Sequence, residues 1–103
     1  MGRQIYVPGH GHRGEPILVT EFGGIAFAGE GGGWGYSTVA DAGEFLGRYE
    51  AMIVALLACD PVQGFCYTQL TDVEQEVNGL LTYDRKPKAD LEKVRAITAR
   101  HKP

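Results

Sequence analysis

The sequence predicts an α/β fold in which two parallel strands flank a long helix and a second helix follows. Three observations carry this. Residues 17–20 form a short apolar or β-branched run without alternation, the pattern of a strand buried on both faces of a parallel sheet. Phe45, Leu46, Tyr49, Met52, Ile53, Leu56 and Leu57 recur at helical spacing and make one broad apolar stripe. Residues 64–70, Gly-Phe-Cys-Tyr-Thr-Gln-Leu, read as a second buried strand. Strand, long helix, strand is a βαβ unit, which is parallel and almost always right-handed.

The elements follow in order. Ile5-Tyr6-Val7 is a brief extended piece before Pro8. Gly9-His10-Gly11-His12-Arg13-Gly14 matches the dinucleotide fingerprint by letter but precedes a strand instead of following one, so it is not that motif. His10 and His12 lack a third ligand nearby and read as solvated loop residues. Pro16 opens the first strand, and Gly23-Gly24 ends it. Residues 25–28 are extended. The Gly-rich stretch 29–37 lacks the Gly-Lys-Ser/Thr ending of a phosphate loop. The long helix starts at Asp41 with Glu44 three residues on, a capping box, and stops before Asp60-Pro61. Gly47 weakens it by about 1 kcal/mol. After the second strand comes a polar loop, 71–79, then a short extended piece, 80–83. A final helix over 89–100 carries Leu91, Val94 and Ile97 on one thin stripe.

Composition bounds the function. With 103 residues there is room for one small domain with one modest core. The net charge of −3 gives no reason to expect nucleic acid or an anionic membrane as partner. The longest mainly apolar run, 51–59, is too short to span a bilayer, and the start of the chain leads into no signal-type apolar core. Cys59 and Cys66 form no disulfide framework and no zinc pattern; both fall in apolar segments and read as buried free thiols in a reducing cytoplasm. No cofactor and no metal is expected.

The chemistry concentrates around Pro16-Ile17-Leu18-Val19-Thr20-Glu21-Phe22-Gly23-Gly24. Glu21 stands where a buried strand runs out into a loop, the edge at which parallel α/β folds collect ligands and catalytic groups. On position alone it is either a functional carboxylate or an exposed strand-end Glu. Tyr67, Gln69 and Asp72 fall on the same edge at the end of the second strand. Trp34 and Tyr36, within the Gly-rich stretch, either stack on a flat ligand such as a sugar or fold back as a plug.

These blocks resemble a known family. Pro16-Ile-Leu-Val-Thr-Glu21-Phe-Gly-Gly24, Gly33-Trp-Gly-Tyr36, Gly64-Phe-Cys-Tyr-Thr-Gln-Leu-Thr-Asp72 and Asn78-Gly-Leu-Leu-Thr-Tyr-Asp-Arg-Lys-Pro-Lys88 look like the end of the catalytic barrel of glycoside hydrolase family 2, the β-galactosidases, β-glucuronidases and β-mannosidases. The resemblance runs from about Tyr6 to Ile97. It implies that residues 1–103 are the C-terminal fragment of a TIM-barrel catalytic domain: strands seven and eight with their helices, a terminal βαβα segment. It implies retaining hydrolysis of O-glycosidic bonds, with Glu21 as nucleophile and Tyr67, where the family usually has Trp, against the sugar. Gln69 and Asp72 match the polar segment that follows. The glucuronidase Asn-x-Lys signature is absent, since Gly79 and Leu80 follow Asn78, so a neutral sugar such as galactose is preferred.

Retaining hydrolysis needs a second carboxyl group about 5–5.5 Å from the first. In the family it comes from an Asn-Glu pair on strand four, which this chain lacks; Glu74 and Glu76 read as solvated loop residues. The expected partners are therefore a carbohydrate and the remainder of the barrel, or further copies of the chain. The alternative is a non-catalytic module, self-associating or weakly sugar-binding, that derives from such a barrel.

Overall fold

The computed structural model describes residues 6–29 and 33–103. Expectations for Ile5, for the start of the chain and for Glu30, Gly31 and Gly32 lie outside these residues.

The structure is a small mixed α/β domain with short parallel strands and two helices. The elements are β1 (Ile17–Gly23), β2 (Ile25–Phe27), β3 (Ser37–Val39), α1 (Ala42–Ala58), β4 (Val62–Thr68) and α2 (Leu91–Thr98). β1 and β4 form one parallel pair and β2 and β3 another. The expected strand–helix–strand unit is present as β1, α1 and β4. β3 was not expected: its three residues leave too short a pattern to read. Tyr6 and Val7 form no strand, and residues 80–83 contribute only bridges from Leu81 to Thr71 and Pro87.

α1 starts as its sequence dictates. The Asp41 side chain accepts from the Glu44 amide at 2.8 Å, and the Glu44 carboxylate accepts from the Ala40 amide at 3.0 Å. Phe45, Tyr49 and Ile53 form its buried face, with Leu46, Met52 and Leu57 partly buried beside them. Burying each such side chain contributes about 1.5–3 kcal/mol. Ile25 and Val39 from the short strands and Val94 and Ile97 from α2 complete the core. α2 is shorter than expected because Asp90 caps it, and Leu91 is left exposed. The Tyr49 hydroxyl meets Thr98 Oγ1 at 2.7 Å and ties the helices together.

β1 departs from expectation in two ways. It is not buried on both faces: Val19 and Phe22 are half-buried, while Leu18 is 60% exposed and Thr20 is also exposed. The helices cover one side of the β1–β4 pair, and the other side is open. Second, β1 runs on past Glu21 to Gly23, so Glu21 lies inside the strand. Its register is irregular there. Val19 pairs with Phe65 and Phe22 with Tyr67, a spacing of three on β1 against two on β4. The cysteines correct a third expectation. Cys59 and Cys66 are free thiols but exposed, Cys59 because it caps α1 at the surface and Cys66 because it stands on the open side of β4.

Candidate functional site

The irregularity in β1 positions Glu21. In a regular strand, residues 17, 19 and 21 share a face, which would turn Glu21 toward the helices with Val19. The bulge at Thr20 and Glu21 restores Phe22 to the helix side, where its ring meets Phe65 at 5.6 Å and Tyr67 at 5.4 Å, edge to face. Both bulge residues are thereby exposed. Bulges re-aim side chains in this way beside functional sites. Glu21 lines a cleft of about 410 Å³ with Phe22, Gly23, Gly24, Tyr36 and Thr68.

Gly24 ties the walls of this cleft. Its amide donates to the Thr68 carbonyl at 2.8 Å, and its carbonyl accepts from the Tyr36 amide at 2.7 Å and the Ser37 amide at 3.3 Å. Its φ is +70°, and a Cβ there would run into the Tyr36 ring. Gly23 has φ +106°, and a Cβ on it would run into the Tyr67 ring. The two glycines let the backbone turn while two aromatic rings close on it.

Tyr36 is 73% exposed and Trp34 is 47% exposed; the rings stand edge to face at 5.5 Å. Neither folds back as a buried plug. Trp34 is held by backbone bonds on both sides: its amide donates to the Gln75 carbonyl at 2.7 Å, and its carbonyl accepts from the Val77 amide at 2.9 Å.

Asp72 is not an open ligand. Its carboxylate accepts from the Gly79 amide at 2.9 Å and from Lys88 Nζ at 2.8 Å. Lys88 also donates to the Val77 carbonyl at 3.0 Å and lies 5.7 Å from the centre of the Phe27 ring. Asp72 therefore clamps the 77–79 backbone, which in turn holds Trp34. Gln69 is similarly engaged: its side-chain Nε2 donates to the Glu76 carbonyl at 3.4 Å, and its backbone carbonyl accepts from the Leu80 amide at 2.9 Å.

Tyr67 is turned to the helix side. Its ring packs edge to face on Phe22 and, at 5.1 Å, on Tyr49. The buried hydroxyl makes no well-formed hydrogen bond. Burial pushes the phenol up to about 12; the nearby Ile25 backbone pulls the other way, and Tyr49 adds to the rise.

Of the residues singled out in the sequence, the cleft brings together Glu21 and Tyr36, with Trp34 against Tyr36; Tyr67, Gln69 and Asp72 lie in the supporting packing and loop. Thr68 and Lys88 were missed. Thr68 ends an apolar run and carries no distinguishing pattern. Lys88 stands 16 positions from Asp72 in a run that reads as solvated charge. Among the described residues no hydrogen bond or ion pair reaches the Glu21 carboxylate, and no second carboxylate lines the cleft. Also among them, no three His, Cys, Asp or Glu residues group as metal ligands, and no helix is long and apolar enough to cross a membrane. No protein-family model matches the chain, and no curated protein matches it.

Proposed function

We propose that this chain is the nucleophile-bearing end of a retaining β-glycosidase barrel of the glycoside hydrolase family 2 type, with a neutral β-galactoside-like sugar as substrate. The observation that carries the reading is Glu21, re-aimed by a bulge into a cleft shared with Tyr36 and Thr68 near the C-terminal end of two parallel strands. That end is where (β/α) barrels assemble their sites. β1, α1, β4 and α2 stand in the order of a terminal βαβα segment, and the resemblance in sequence assigns them to strands seven and eight with their helices. The open face of the β1–β4 pair then corresponds to the side that further strands would cover.

In the proposed reaction the Glu21 carboxylate attacks the anomeric carbon as the bond to the aglycone oxygen breaks. An acid from outside this chain protonates that oxygen. Water, deprotonated by the same group, then displaces Glu21 and frees the sugar. Tyr36 and Trp34 offer exposed aromatic surface beside the cleft on which a pyranose ring stacks.

A dinitrophenyl 2-fluoro-β-galactoside tests the assignment, because its leaving group departs without an acid and the glycosyl adduct accumulates. The expected result is slow formation of one adduct, located by peptide mass spectrometry on Glu21 and lost in Glu21→Gln. Absence of an adduct, or an adduct that persists in Glu21→Gln, overturns it.

A second reading, a non-catalytic module that holds sugar weakly, is favoured by one observation: no described residue orients the Glu21 carboxylate. Galactose binding measured by Trp34 fluorescence, undiminished in Glu21→Gln and with no adduct formed, is the outcome that supports it.

A further inference from the structure

We propose that residues 100–103, the segment after α2, are a strap that caps the C-terminal end of α1 in place of a missing backbone donor and that releases locally when its charges are screened. The inference does not rest on the glycosidase reading. A helix leaves its last carbonyls without partners of its own. In α1 the amide that would close onto the Leu57 carbonyl belongs to residue 61, which is proline and has no N–H. No basic residue stands in the last turn of α1 to offset the helix dipole. Lys102 supplies both the donor and the charge: its Nζ donates to the Leu57 carbonyl at 3.2 Å and to the Cys59 carbonyl at 2.7 Å.

The turn that Lys102 holds is a junction. The Cys59 carbonyl also accepts from the amide of Val62, the first residue of β4, at 3.1 Å. The Pro61 carbonyl accepts from the amide of Ile17, the first residue of β1, at 3.3 Å. Both parallel strands thus start from the turn that ends α1, and a contact that steadies this turn steadies their first residues.

The fastenings are of a kind that opens easily. The second one is the ion pair of Arg100 with Glu50 on α1, whose side chains are 43% and 44% exposed. Ion pairs so exposed contribute little and are screened by salt. Residues 100–103 are all exposed, and none belongs to the hydrophobic core. A cleft of about 250 Å³, lined by Leu57, Val62, Phe65, Arg100 and Lys102 among others, separates the strap from the base of β4, so the strap is not packed down on the strand. A segment held by exposed polar contacts alone opens at far lower cost than the whole fold. When it opens, the Leu57 carbonyl loses its donor and the last turn of α1 frays, while the core around Ile53 stays closed.

The test is amide hydrogen exchange, followed residue by residue by NMR, on the whole chain and on Lys102→Met and Lys102→Arg, at about 0.05 M and about 0.5 M sodium chloride. The reporters are the amides of Cys59, which donates to Leu56, and of Val62, which shares its acceptor with Lys102. The amide of Ile53, fully buried on α1, is the reference for the core. In Lys102→Met the two reporters are expected to exchange about five- to tenfold faster relative to Ile53, with Ile17 following by a smaller factor and Lys102→Arg staying near the parent. The higher salt is expected to speed the parent's reporters about two- to fivefold relative to Ile53 and to leave those of Lys102→Met unchanged. Reporters that do not respond to Lys102→Met overturn the proposal. So does a rise shared equally by Ile53, which makes the segment part of the global unfolding unit, and so does a parent indifferent to salt or an arginine variant that behaves like the methionine one.

Discussion

Lys88 Nζ stands 2.8 Å from Asp72 Oδ1, with the lysine side chain 4% exposed and the aspartate 10%. This is the most buried ion pair among the described residues, and it governs the edge of the cleft at a distance. Lys88 and Gly79 occupy Asp72, Lys88 also holds the Val77 carbonyl, and Val77 holds Trp34. The aromatic platform thus rests on a carboxylate that never reaches the cleft.

Lys88→Met leaves the buried Asp72 carboxylate without its cation, and Asp72→Ala takes an anion from Lys88 and the acceptor from the Gly79 amide. Lys88→Met lowers stability by about 3–5 kcal/mol and Asp72→Ala lowers it as well, both measured by urea denaturation followed by circular dichroism. The double variant Asp72→Ala/Lys88→Met removes both charges and is more stable than Lys88→Met alone. It stays below the parent because the Gly79 amide has lost its acceptor.

Two glycines give opposite signs on substitution. Gly47 lies within α1 with nothing near the position of a Cβ, so Gly47→Ala raises stability by about 0.5–1 kcal/mol. Gly23 has φ +106° and faces the Tyr67 ring, so Gly23→Ala lowers it by about 2 kcal/mol or more. Thermal unfolding of the two variants checks both directions.

The features legible in the sequence are those set within a few residues. Asp41 and Glu44 announce the start of α1 because both halves of the capping box are local, and Phe45, Tyr49 and Ile53 announce its face because one helix sets their spacing. The bulge that re-aims Glu21 was hidden, since it depends on register against β4, whose partners lie some 45 residues away. The Asp72–Lys88 pair was hidden for the same reason. Leu18 and Cys66 read as buried because an apolar run says that a strand wants cover on two faces; it does not say what supplies the second cover.

Tyr67 makes stability sensitive to alkaline pH. In the unfolded chain its phenol ionises near 10; in the fold, burial raises it to about 12. Its contribution is fully present below pH ~10 and is lost as pH rises to about 12, because the unfolded state releases the proton first. Tyr67→Phe removes this component while keeping the ring contacts with Phe22 and Tyr49. The difference in denaturation midpoint between parent and variant is therefore expected to shift in favour of Phe between pH ~10 and ~12 and to stay flat below.

Glu21 is expected to be dispensable for folding and indispensable for sugar chemistry. Its side chain is exposed and has no described partner, so Glu21→Gln changes stability by no more than about 0.5 kcal/mol. Turnover is a different matter from labelling. A positioned acid/base contributes roughly 10²–10⁴-fold, and no second carboxylate lines the cleft among the described residues. Orientation of the nucleophile is also missing, because nothing described grips its oxygens. The 103-residue chain alone is therefore expected to release no measurable nitrophenol from aryl β-galactosides, even where a 2-fluoro sugar labels Glu21 slowly. Steady release that disappears in Glu21→Ala would show that the chain, or an assembly of its copies, supplies its own acid/base.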